Sequence, residues 1–181
     1  MVAGSILPVS YHKGNIYFLF GKENPLEDSA KGFSDFGGRL EGNESPYDGA
    51  LREGAEELTG FLGDKDELDK LIRRQGKMHT LVLDKYHLHM FYYPYDKSLV
   101  KYYNQNHAFL WKHMDVNTLQ KTNLFEKIEI QWFKATTLRK HLNTFRPFYR
   151  KIVLKLIEDI DEIEKFVRSK NKHNRTEKNR V

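Results

Sequence analysis

A chain of 181 residues with twelve Phe, ten Tyr and two Trp is long and aromatic enough for one domain with a sizeable packed core. It has no cysteine, which excludes disulfides and thiolate metal sites. No apolar run reaches the ~20 residues of a membrane span, and the start lacks the charged region and long apolar run of a signal peptide, so the expectation is a soluble protein of the reducing cytoplasmic interior, with no membrane partner.

In chain order, "SILPVSY" and "IYFLFG" predict two strands around the turn "HKGN". Residues 22–31 are polar, and "FSDF" is a short extended piece that runs into Gly37 and Gly38. From Ser45 the pattern becomes helical. Ser45-Pro46-Tyr47-Asp48 supplies a capping hydroxyl, proline at the first helical position and an acid three residues after the cap. The helix is expected from about Pro46 to Leu58, ending near Gly60. "DKDELDKLIRRQ" reads as a second, short helix with Leu68, Leu71 and Ile72 on one face. "KMHTLVLD" and "YHLHMFYYPY" predict a hairpin closed at Asp84-Lys85. Residues 96–123 are aromatic without a clean period. "IEIQWF" is a strand, "TTLRKHL" a short helix, and residues 147–167 a long amphipathic helix. The fold class is therefore α+β, a mixed sheet with helices in an αβα sandwich, plus the long C-terminal helix.

Charge is distributed unevenly. Residues 168–181 hold six Lys or Arg and one Glu, which is the whole of the +5; the rest of the chain has 24 residues of each sign. The expected organisation is a domain over 1–168 and a basic, disordered tail over 169–181, with nucleic acid as a possible partner of that tail.

The segment "DFGGRLEGNESPYDGALREGAEELTGF" packs six acidic residues between Glu41 and Glu57. On a helix, Glu53, Glu56 and Glu57 project together and repel, at the end of the helix where negative charge is least favoured. A divalent cation would compensate them, since Mg²⁺ and Mn²⁺ select carboxylate, carbonyl and water oxygens. Glu44 and Arg52 are spaced to close the loop with a bidentate ion pair.

These residues carry a resemblance. Gly38, Glu44, Arg52-Glu53 and Glu56-Glu57 stand at the spacing of the Nudix box, and six fixed matches have a chance of about 10⁻⁷ per start position at average usage. Two positions depart from it: Gly54 stands where the family has an aliphatic residue, and Thr59 where it has glycine, with Gly60 following. The resemblance implies a Nudix-type sandwich fold and Mg²⁺- or Mn²⁺-dependent hydrolysis of a diphosphate linkage. Residue by residue, it implies metal ligation by Glu56, Glu57 and the Gly38 carbonyl. It makes Glu53 a ligand or the water-activating base, and Glu44–Arg52 a structural ion pair. A further acid beyond the box is implied before a late strand, where Glu126 is preferred to Glu129.

The box does not choose the substrate. The basic tail, basic "LRKHLNTFRPFYRK" and abundant tyrosines motivate an RNA-linked substrate such as the mRNA 5′ cap, and the chain has a faint likeness to decapping members from large DNA viruses. The alternatives are small-molecule pyrophosphohydrolysis (oxidised nucleoside triphosphates, dinucleoside polyphosphates, diphosphoinositol polyphosphates) and a noncatalytic nucleotide or RNA sensor. His87 and His89 share a strand face without a third ligand in register, so they read as exposed or substrate-edge histidines. The aromatics of "FYYPY" and "KYYNQ" are candidates to stack on a base, with core packing the commoner fate.

Overall fold

The computed structural model describes residues 2–25, 31–76, 78–121 and 126–178. Its centre is β1 (Ala3–His12), an apolar run buried over most of its length. The Lys13-Gly14 turn, both residues at positive φ, returns the chain as β2 (Asn15–Glu23), antiparallel to the second half of β1. Next come β3 (Phe33–Ser34) on β2 and β4 (Phe36–Arg39) on the first half of β1. The chain thus changes partner strand at Asp35.

Helix α1 (Pro46–Glu57) starts as its sequence indicates, with the Ser45 side chain accepting from the Asp48 N–H. Helix α2 (Lys65–Arg74) follows, with Asp64 and Glu67 forming a capping box. The β5 (His79–Leu83) and β6 (Tyr86–Tyr92) hairpin turns at Asp84, φ 56°, and β6 lies parallel to β1. The poorly periodic stretch is helical: α3 (Lys97–His113) and α4 (Val116–Lys121). Strand β7 (Lys127–Lys134) then pairs with β2 on its outer side.

Along the main path the strands run β3-β2-β1-β6-β5, with β4 joined to β1 and β7 to β2. Strand alternation sends side chains to two faces. Leu7, Val9, Phe18, Phe20 and Phe133 meet Tyr149, Ile152, Leu156 and Ile163 on one face. Ile6, Leu19, Phe36, Ile130 and Trp132 meet Leu51, Leu68, Ile72 and Tyr103 on the other. The molecule is therefore an α+β mixed sheet with helices on both faces.

Three details differ from the sequence reading. "TTLRKHL" forms two 3₁₀ turns, 135–137 and 142–144, rather than one helix. The long C-terminal helix is divided into α5 (Arg150–Glu158) and α6 (Ile160–Lys178) at Asp159, whose carboxylate is held by Lys155 at 2.9 Å. The basic segment expected to be a disordered tail continues α6 over residues 169–178; residues 179–181 lie outside the described part. No helix among the described residues is long and apolar enough to cross a membrane.

The partner change at Asp35 buries a carboxylate. It accepts from the Ser5 hydroxyl at 2.7 Å and the Tyr86 hydroxyl at 2.5 Å. Burial nevertheless dominates and pushes its pKa from 3.8 up to about 6. A pKa raised by folding contributes stability that is complete below the unfolded value, near 3.8, and is lost as pH rises through about 6. Asp35→Asn is accordingly expected to flatten the pH dependence of stability between pH 4 and 7. At pH 7.5 it should be at least as stable as the parent, because it no longer buries a charge. Urea unfolding at four pH values checks this; an unchanged pH slope would remove Asp35 as its source.

Candidate functional site

The acidic segment folds at the end of the sheet where β4, the last turns of α1 and the start of β7 meet. Glu53 lies directly over Gly38. A Cβ at Gly38 would stand 2.5 Å from the Glu53 carboxyl group, so only glycine permits this approach of carboxylate to backbone. One residue earlier, the Gly37 N–H donates to Glu57 at 2.8 Å. The paired glycines thus present adjacent backbone units to two helical carboxylates four residues apart.

The three carboxylates are divided between two cations. Arg52 takes the first group. It binds Glu44 through two nitrogens, at 2.9 and 3.1 Å, and donates to the Arg39 carbonyl at 3.1 Å. The same guanidinium reaches Glu53 at 2.9 Å, Glu56 at 3.6 Å and Glu41 at 3.8 Å. The Arg52 hydrogen bonds hold the Glu44 pKa down to about 2. Burial, with the neighbouring Glu53, Glu41 and Glu44 adding to it, raises that of Glu56. The Glu44–Arg52 pair proposed from spacing is present as a bidentate clamp.

The second group surrounds Lys127, which sequence reading missed. Its ammonium lies 3.1 Å from Glu57, contacts Glu23 closely, and donates to the Ser34 hydroxyl at 2.9 Å. Glu23 also accepts from Arg146 at 2.7 Å. Both Lys127 and Glu57 are almost fully buried. Burial pushes the Glu57 pKa up, against the pull of Lys127, and the charges of Glu23 and Glu126 push the same way. No local pattern marks Glu23 and Lys127 as partners, because they are 104 positions apart. The one available sign was a pair of charges, Lys22-Glu23, closing the apolar run "IYFLFG".

Glu126 stands just before β7, its carbonyl accepting from the Asn24 N–H at 2.9 Å, and its charge is felt at Glu57. Glu129 is within the strand and paired with Lys22 at 3.3 Å. His89 is not at an exposed edge: it is buried beside Tyr47 and Thr80, and burial holds its pKa down to about 4. Of the tyrosines considered for stacking, Tyr92 and Tyr103 are buried, while Tyr102 is exposed.

The two departures from the box have physical counterparts. A Cβ on Gly54 would stand 2.4 Å from the Ile6 Cδ1, so isoleucine on β1 fills the volume that a helix side chain would occupy. Thr59 adopts φ +49° just past the helix, and Gly60 follows at +72°. The left-handed turn is made by two residues, the first of them a β-branched side chain that tolerates it poorly.

The donor set fits a hard divalent ion. Glu53, Glu56, Glu57 and the Gly38 carbonyl supply only oxygens, and the Gly38 cradle seats Glu53 against the backbone. Among the described residues, however, no three carboxylate or imidazole groups already converge as an ion cage. Glu53 and Glu56 are held by Arg52, and Glu57 by Lys127 and the Gly37 N–H.

Mixed sheet, flanking helices and glycine-seated carboxylates define an α+β protein with an acid centre at one end of its sheet. No protein-family model and no curated protein matches the chain. Among solved structures, it is similar to the C. elegans Ap4A hydrolase: 13% identity over 90% of this chain and 98% of that one, TM-score 0.48. A binary complex of a C. elegans Ap4A hydrolase gives 15% identity, with 89% of this chain and 96% of that one covered and a TM-score of 0.48. The NUDIX domain of Shewanella oneidensis NrtR, complexed with ADP ribose, gives 13% identity, 90% and 86% coverage and a TM-score of 0.42.

Proposed function

We propose that the protein is a Nudix-type, Mg²⁺- or Mn²⁺-dependent hydrolase that cleaves a diphosphate linkage in a nucleoside-diphosphate-linked substrate. The observation that carries this reading is the seating of Glu53 and Glu57 on the backbone of Gly38 and Gly37, inside a segment that keeps every charged position of the box.

Glu53, Glu56, Glu57 and the Gly38 carbonyl would hold the ion. Once bound, it supplies neutralisation of phosphate charge and a more acidic water. The chain supplies the rest. Arg52, fixed by Glu44 and the Arg39 carbonyl, holds the helix end and orients Glu53. Glu53 is the carboxylate that takes the proton of the attacking water. Lys127 and the Gly37 N–H fix Glu57 in one orientation and favour its charged form. Glu126, whose charge is felt at Glu57, is the further acid.

The mRNA 5′ cap is the substrate placed first, because the C-terminal end of the chain is strongly basic. The basic run 138–151 supports it less than its composition suggests. Arg146 is bound to Glu23, Arg150 donates to the Phe145 and Asn143 carbonyls, and Lys151 pairs with Asp84. The test is a substrate panel with each ion: capped RNA, nucleoside triphosphates, dinucleoside polyphosphates and inositol pyrophosphates. Release of m7GDP from capped RNA is the expected result. Turnover of another member without m7GDP release would sink decapping and keep the chemistry; no turnover of any member would leave a sensor.

A further inference from the structure

The region that resisted sequence reading lines a half-open cavity whose wall adjoins the Glu57–Lys127 pair. It measures about 310 Å³ and is lined by Pro25, His107, Ala108, Trp111 and Ile128. Its position is fixed by Tyr103 on α3. The Tyr103 hydroxyl lies 2.7 Å from the Glu57 carbonyl and 2.9 Å from the Lys127 carbonyl. The ring of the same residue stacks on His107 at 3.9 Å. One side chain therefore joins the backbone of the acid centre to the wall of the cavity. Two further links are covalent: Pro25 follows Glu23 by two residues, and Ile128 follows Lys127 directly. Asn104 locks α3 to β7, donating to the Ile130 carbonyl at 3.0 Å and accepting from its N–H at 2.8 Å. The α3 and β7 walls of the cavity are thus fixed to one another.

We infer that this cavity receives the nucleobase of the substrate, with the Trp111 indole as its aromatic wall. The inference rests on the reading that the acid centre handles a nucleoside diphosphate linkage. Its size is that of a pocket for one flat ring system, at the small end of ligand sites. Its lining is mainly apolar, with one indole and one imidazole, which suits an aromatic heterocycle and not a second phosphate group. Ile128 and Tyr103 tie the cavity to the Lys127–Glu57 side of the acid centre.

The test uses the full chain and two probes, guanosine monophosphate and ribose 5-phosphate, which share a phosphate and differ in the base. Binding is followed by tryptophan fluorescence and calorimetry. Guanosine monophosphate should bind more tightly than ribose 5-phosphate and change the emission, and the change should vanish in Trp111→Phe. Trp111→Ala should weaken the nucleotide by about 10- to 100-fold and leave ribose 5-phosphate binding unchanged. In turnover assays the same variant should raise KM by that factor with kcat within about threefold, as expected for lost binding that is uniform along the reaction. Ala108→Trp provides a second route: Ala108 is exposed at the rim, so a large side chain there fills the cavity without disturbing the core. Equal binding of the two probes, or unchanged nucleotide affinity in both Trp111→Ala and Ala108→Trp, would overturn the inference. Nucleotide binding that is lost in these variants, in a protein that hydrolyses no diphosphate, would support the cavity and overturn the hydrolase reading alone.

Discussion

Glu57→Gln is expected to reduce kcat by about 10²- to 10⁴-fold, the range for losing a positioned carboxylate from an acid–base or metal-assisted step. The substitution is close to isosteric, and the structure explains why the fold should survive it. The glutamine oxygen still accepts from the Gly37 N–H; its NH2 then faces Lys127 and that ion pair is lost, but Lys127 keeps Glu23 and Ser34 as partners. The melting temperature should therefore move by only a few degrees while turnover collapses. Single-turnover kinetics on the best panel substrate, with circular dichroism on the same sample, makes the comparison. A folded Glu57→Gln protein with parental kcat would remove Glu57 from the reaction.

Lys127→Met should act the other way round, on stability first. It leaves Glu57 and Glu23 in the interior without their shared cation. Breaking a buried pair in this manner costs about 3–5 kcal/mol. Arg146 still reaches Glu23, so the uncompensated charge falls chiefly on Glu57. The pH dependence follows from the direction of its shift. Burial already raises the Glu57 pKa above 4.5, and Lys127 is the strongest influence lowering it. Without Lys127 the folded protein holds this proton to higher pH than the unfolded chain does. Stability then falls as pH rises above about 4.5. The deficit of Lys127→Met relative to the parent should be smallest in acid and largest near pH 8. Urea denaturation across pH 4.5–8 measures it, and a deficit constant with pH would mean that the loss is one of packing alone.

Much of the fold was legible because its signals are local. The Ser45-Pro46 cap, the Leu68, Leu71 and Ile72 stripe of α2 and the apolar runs of β1, β2 and β7 each lie within a few residues. Helix α3 was not legible because its buried face is Leu99, Tyr103 and His107, at helical spacing but with a histidine and a tyrosine that read as polar. The acid segment was legible as chemistry, and its Glu44–Arg52 pair as geometry. What it hid was the counter-charge. Three glutamates on one helix raise the question of what neutralises them, and the interior answer, Lys127, enters from a strand seventy positions from Glu57. The division of α5 from α6 at Asp159 escaped notice because the apolar spacing continues through it.

Asn104 has a consequence for solubility. Among the described residues, strand β7 pairs with β2 on one side only, so its outer side is a sheet edge. Such edges recruit strands from other molecules unless something blunts them. At Ile130 the Asn104 amide occupies both hydrogen-bonding groups of the backbone, donor to acceptor and acceptor to donor, as a neighbouring strand would. The helix therefore terminates the sheet with a single side-chain imitation of a peptide unit. Without the Asn104 amide, the backbone of Ile130 would stand open to a strand from another molecule.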